Sequence, residues 1–211
     1  MYFALRRNWM LAGVAAALAG TVRPPGIVFA GAVGLAALVA FARHRRWRTL
    51  LGGLLAPLGF VGTAVGIGLH AGRLDAWYIT EHDGWHSQLT YGLSWLPWID
   101  PTESNIQARL HLAVALLAIA LLLLTLVTIA LRPPLPIVAL TAAGALLAFG
   151  FGGVGMNAAP RVMMAFFPVL GPVAMLLSRC PVLVRGILLG LGAVVAAVVG
   201  AYYFAFSPIP V

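Results

Sequence analysis

The sequence predicts an all-α protein: a polytopic transmembrane helix bundle of about seven membrane segments with one large extracytoplasmic loop. Three observations carry that expectation. First, 62% of the 211 residues are hydrophobic and 9% are charged, with a mean hydropathy of +1.01, whereas a soluble domain uses about 45–50% apolar and about 25% charged residues. Second, the apolar residues fall in runs whose joints carry Pro and Gly, as in "VRPPG", "RPPLP" and "SRCP". There a missing amide donor and a fixed φ end a helix. Third, the net charge of +8 comes from thirteen arginines and no lysine. In a soluble protein that excess would suggest nucleic acid; here the bilayer accounts for it, because cytoplasmic loops collect basic residues.

The segments, in order, are Asn8 to Thr21, Gly26 to Ala42, Leu50 to His70, Leu110 to Leu131, Leu135 to Val154, Val162 to Leu177 and Val182 to Phe206. Crossing about 30 Å of hydrocarbon takes about 20 helical residues, so the first two are short and fit a tilted pair or a re-entrant one. The N-terminus has a signal-peptide outline, with Arg6 and Arg7 before an apolar run, yet reads as a first membrane segment because no secreted domain follows. The whole chain, 1–211, is one membrane domain with no internal repeat. Cys180 is the single cysteine, which excludes an intramolecular disulfide and a thiolate metal site.

Arginine placement sets the orientation. With Arg6 and Arg7 cytoplasmic, seven crossings put Arg43, Arg45, Arg46, Arg48, Arg132, Arg179 and Arg185 on the same side, nine in all, and leave Arg23, Arg73, Arg109 and Arg161 outside. The loop from Ala71 to Arg109 is then extracytoplasmic. It holds every acidic residue of the protein: Asp75, Glu81, Asp83, Asp100 and Glu103.

Within that loop the stretch "DAWYITEHDGWHS" invites a metal reading. His82 and His86 are four apart, which on a helix puts both imidazoles on one face, with Glu81 and Asp83 as oxygen ligands. Against it, Gly84 weakens a helix between them, no third histidine is near and the zinc-protease spacing is absent. No metal site is expected. His44, His70 and His111 read as interfacial residues. The aromatics carry more: Trp77, Tyr78, Trp85, Tyr91, Trp95 and Trp98 gather within 22 residues. Two readings stay open for them, an interfacial aromatic belt and a platform for sugars or lipid headgroups, whose C–H faces stack on rings while Asp and Glu accept hydroxyls.

The order of the motifs resembles the C-terminal half of the PIG-V-like mannosyltransferases, a family of the GT-C glycosyltransferase superfamily. The matching runs are "LRRNWMLAGVAAALAGTVRPPGIVF", "RHRRWRTLLGGLLAPLGFVG", "HAGRLDAWYITEHDGWHSQLTYG" and "APRVMMAFFPVLGPVA". Counterparts of that family's motifs are Thr21, Arg23, Pro24 and Gly26 with Val22 inserted; Gly72, Ala76, Trp77 and Trp85; and Pro160, Arg161, Phe167 and Pro168. Two departures stand out: Glu81 sits where the family carries Gln, and Ala71 where it carries Thr. A third is larger. The family's catalytic carboxylate lies in a first outer loop, and the turn "TVRPPG" contains no Asp or Glu.

The resemblance implies transfer of mannose from a polyprenyl-phosphate donor with inversion at the anomeric carbon, without a nucleotide or other cofactor. It makes membrane lipid and that donor the expected partners, and it excludes nucleic acid. Arg161 and Arg23, outer-face arginines at segment ends, suit the donor phosphate, because a guanidinium binds phosphate oxygens while its stem lies along hydrocarbon; snorkelling at a helix end is the simpler account of both. Trp77, Trp85 and Glu81 complete the expected substrate site. The missing carboxylate implies a truncated frame, a split enzyme whose N-terminal half is a separate chain, or a degenerate relative, with Asp75, Glu81 and Asp83 as the remaining candidates for a base. The expected location is the bacterial plasma membrane. The alternative is a non-catalytic multipass protein, a lipid-handling transporter or scaffold subunit. A proton-coupled transporter is disfavoured, since no segment carries a central charge.

Overall fold

The computed structural model describes residues 1–22, 26–84, 88–90, 93, 96, 106–152, 162–163 and 165–206. The described chain is almost wholly helical. A short α1 (Tyr2–Leu5) leads into α2 (Trp9–Val22) and α3 (Gly26–His44), followed by α4 (Trp47–Leu55) and α5 (Leu58–Ala71). Beyond the loop come α7 (Ile106–Ala130), α8 (Leu135–Gly150), a 3-10 turn (Phe167–Leu170), α9 (Gly171–Ser178) and α10 (Val182–Phe206); α6 (Ala76–Ile79) lies within the loop.

Four of these stretches are long and apolar enough to cross a membrane: Gly26–His44, Trp47–Ala71, His111–Ala130 and Val182–Ala201. The other three expected segments form shorter apolar helices, Trp9–Val22, Leu135–Gly150 and Phe167–Ser178. A helix of 14 residues such as α2 reaches about 21 Å at 1.5 Å per residue, short of the hydrocarbon thickness. The segment expected from Val162 to Leu177 is broken into a 3-10 turn and a helix, because Pro168 and Pro172 remove two amide donors. The segment expected to reach Val154 ends at Gly150 and passes into a two-residue strand. That strand, Phe151–Gly152, pairs antiparallel with Gln88–Leu89 and ties the loop to the end of α8.

Small residues set how closely the N-terminal helices approach. A Cβ on Gly13 of α2 would meet the Gly52 carbonyl of α4, and one on Gly59 of α5 would meet the Ala17 carbonyl of α2. The pairs advance together along both chains, so α2 and α4–α5 run parallel, with α3 packed on α2, α4 and α8. A second core joins α7 and α8 to the late turn. Met163, Phe166 and Val169 are fully buried, and Phe166 fills the notch above Gly144 with its ring centroid 5.6 Å from that of Phe29. The motif residue Phe167 is instead 60% exposed, so its neighbour is the one that packs.

In hydrocarbon every buried polar group needs an internal partner. Thr125, Thr128 and Thr141 supply theirs locally, donating to the carbonyls of Leu121, Leu124 and Ile137. Apolar side chains face outward along α10, among them Leu183, Ile187, Leu191, Val194 and Val198. Lipid solvates such a surface, whereas water would drive it to associate.

The two ends of the bundle differ in character. The α1–α2 junction, the α3–α4 turn and the start of α8 meet at one pole, around an open concavity. The loop and the β pair mark the other. Among the described residues the non-glycine backbones with positive φ are Arg7 (58°), Arg45 (52°) and Arg132 (51°), each just past the C-terminus of α1, α3 or α7. Glycine normally takes that position, and an L-residue there costs about 1–2 kcal/mol. A cation near the unsatisfied carbonyls of a helix end offsets part of that strain.

Candidate functional site

The loop pole holds four of the expected site residues within ten positions, Asp75, Trp77, Glu81 and Asp83. Its geometry starts at Gly72. The residue caps α5 with φ 72°, and its N–H and that of Arg73 return to the Gly68 and Leu69 carbonyls, which turns the chain sharply off the helix end. Glycine alone adopts this conformation without a Cβ penalty.

Arg73 then grips Asp75 with two parallel hydrogen bonds, Nε to Oδ1 at 2.8 Å and Nη2 to Oδ2 at 3.1 Å. This fork keeps the Asp75 carboxyl below the usual carboxylate range and raises the guanidinium above its own ordinary value. Asp75 is therefore a fixed anion at an exposed turn, a poor proton acceptor. Its carbonyl accepts the Ile79 amide and starts α6. Trp77 projects from that turn edge-on to Phe60 of α5, with centroids 5.0 Å apart and planes at 85°, which pins the loop to the bundle.

A π-helical turn, Thr80–Gly84, follows directly. Its wider winding brings the Tyr78 ring over His82 at 5.8 Å, nearly parallel, and His82 Nδ1 lies 2.7 Å from Asp83 Oδ1. Turns of this kind recur at functional sites. Glu81 differs from its two acidic neighbours: it is half-buried, has no hydrogen-bond partner among the described residues, and burial pushes its carboxyl above the ordinary value of 4.5. Desolvation disfavours the charged form, and among the described residues no cation compensates. Among the described residues, three carboxylates alike in composition are thus sorted into one ion-paired, one held by histidine and one without a partner.

Among the described residues no three His, Cys, Asp or Glu side chains come together in a way that could hold a metal ion. His86, Trp85, Arg23 and Arg161 lie outside the described residues, as do Asp100 and Glu103. Arg73 and Phe60, which hold Asp75 and Trp77, were not singled out from sequence. The R-x-D spacing of "GRLDAW" is the signal that could have found the first; nothing local points to the second. Below the β pair, Leu89 roofs an apolar groove of about 910 Å³ between α7 and α8, floored by residues such as Ala118, Leu122 and Ala145.

Fold and site together define a helical protein with four helices long and apolar enough to cross a membrane and a polar, aromatic loop at one pole. Comparison with protein-family models, curated proteins and solved structures finds no match to this chain. The likeness to the PIG-V-like mannosyltransferases rests on the sequence motifs alone.

Proposed function

We propose that this chain is a membrane-embedded glycosyltransferase that holds a polyprenyl-phosphate sugar, with mannose the expected sugar, at its loop pole on the extracytoplasmic face of a bacterial plasma membrane. The observation that carries the reading is Glu81, a partly desolvated carboxyl, unpaired among the described residues, on a π-helical turn next to Trp77 and Tyr78 in the loop that follows a membrane-length helix. A carboxyl with a raised pKa is a better proton acceptor at neutral pH than one locked to arginine. The apolar groove beneath Leu89 suits the prenyl chain.

In this reading an acceptor hydroxyl gives its proton to the Glu81 carboxylate as its oxygen bonds to the anomeric carbon. The bond from that carbon to the phosphate oxygen breaks with inversion, and the polyprenyl phosphate leaves as an anion. Arg161 and Arg23 are the expected partners of that charge. Asp75, bound to Arg73, keeps the turn in shape and takes no proton.

The test uses the purified chain in nanodiscs with labelled polyprenyl-phosphate mannose and an alcohol acceptor. Donor binding weakens about ten- to a hundredfold in Arg161→Ala, the loss of one sheltered charge-assisted contact, and little in Arg185→Ala. Glu81→Gln lowers transfer about 10²- to 10⁴-fold, as loss of a general base does, while leaving donor binding within about twofold of wild type. A second reading is favoured by the absence of a carboxylate in the turn "TVRPPG": a non-catalytic lipid-binding protein, or one completed by a separate chain. Donor binding with no transfer by the wild-type chain would establish that second reading and remove Glu81 as base.

A further inference from the structure

A concavity of about 1120 Å³ lies at the arginine pole, away from the loop. Arg6, Arg7, Arg43, Arg46 and Arg48 line it, drawn from the α1–α2 junction, the end of α3 and the start of α4. All five are exposed, and no carboxylate is among the described residues of the wall. Cations brought together repel one another, so an anion from outside the chain is favoured among them.

Three further features give that anion its form. The floor is apolar, with Ala36, Val39, Ala40 and Leu135 from helices that continue into the bundle. Trp9 and Trp47 stand in the wall, and Trp47 is 69% exposed while its ring leans on Phe41 at 5.2 Å; indole rings in such positions lodge at headgroup depth. The left-handed backbones of Arg7 and Arg45 also fall at this pole, on the two turns that deliver the arginines. Strained backbone of this kind gathers at binding sites, where surrounding structure holds it in place.

We propose that this cavity is a binding site for a membrane lipid whose headgroup carries two phosphates. Five guanidinium groups around one space exceed what a single phosphate can engage, and their forked donors match phosphate oxygens. The apolar floor and the tryptophans select a lipid over a soluble anion. Basic pockets between membrane helices bind such headgroups elsewhere by the same physics. The site is separate from the sugar site, so either can fail without the other.

The test titrates the purified chain in neutral detergent with cardiolipin, read by native mass spectrometry. Cardiolipin binds more tightly than phosphatidylglycerol at matched total charge. Arg43→Gln with Arg46→Gln weakens it about twenty-five-fold, at about fivefold for each surface arginine. Arg6→Gln with Arg48→Gln, on different elements, does the same, whereas Arg109→Gln with Arg185→Gln changes it less than about twofold. Equal loss in the control pair would reduce the effect to net charge and overturn the site. Equal binding of phosphatidylglycerol would remove the two-phosphate assignment. Displacement of the lipid by inorganic pyrophosphate at similar concentration would mean a soluble ligand and overturn the lipid assignment.

Discussion

Replacing Gly13 by Ala tests whether the N-terminal helices are as closely packed as the backbone contacts require. The new Cβ would press on the Gly52 carbonyl, with the carbonyl carbon 2.9 Å away and Cα 3.1 Å away, where carbon atoms prefer about 3.5–4.0 Å. These are helical backbone atoms that no rotamer change can move aside, so α2 has to retreat by roughly 0.5–1 Å. The same retreat opens the Ala17–Gly59 and Gly20–Phe60 contacts, which lie on the same seam. Gaps of that size forfeit a quarter to a half of each facing dispersion contact, and overpacking costs about 1–3 kcal/mol. Alanine returns up to about 1 kcal/mol as the better helix former, and because the atoms it meets are rigid backbone the overpacking cost falls at the upper end of its range, which leaves a net loss of about 2 kcal/mol. Gly62→Ala on α5, with nothing within 4 Å of its Cβ, supplies the control and is expected to be neutral or slightly stabilising. Reversible unfolding in mixed detergent and dodecyl sulfate micelles measures both. A Gly13→Ala protein as stable as wild type, or a Gly62→Ala protein equally weakened, would refute the seam.

Two further expectations follow from the site. Because burial holds the Glu81 carboxyl above its ordinary 4.5, the folded state binds more protons than the unfolded one between that value and the raised one. Stability therefore falls as pH rises through this window, and Glu81→Gln flattens the fall in thermal melts recorded across it; an unchanged pH profile would show that Glu81 is as hydrated as in the unfolded chain. The arginine distribution predicts orientation: cysteine placed at Asp83 reacts with an impermeant thiol reagent on intact cells and cysteine at Arg46 does not, and the reverse labelling would invert the topology.

By itself the sequence determined the helical, membrane-compatible class and nearly all the helix positions. Long runs of Leu, Ala and Val make a helix the one structure that satisfies the backbone in hydrocarbon, and the joints carry Pro, Gly and Arg, whose effects act within a turn. What tertiary structure alone decided is which side chains meet. Asp75, Glu81 and Asp83 look alike in the sequence, and they were separated by the fork of Arg73, the imidazole of His82 and the burial of Glu81 on a π-helical turn. Phe166 rather than the motif residue Phe167 entered the core, because only its ring faces the space left by Gly144. The arginines that charge counting placed on one side of a membrane became the wall of a single cavity only when α1, α3, α4 and α8 brought their ends to one pole. Charge and hydropathy are sums over nearby residues and can be read from the chain, whereas a pocket or an ion pair depends on the distance between residues that folding alone brings together.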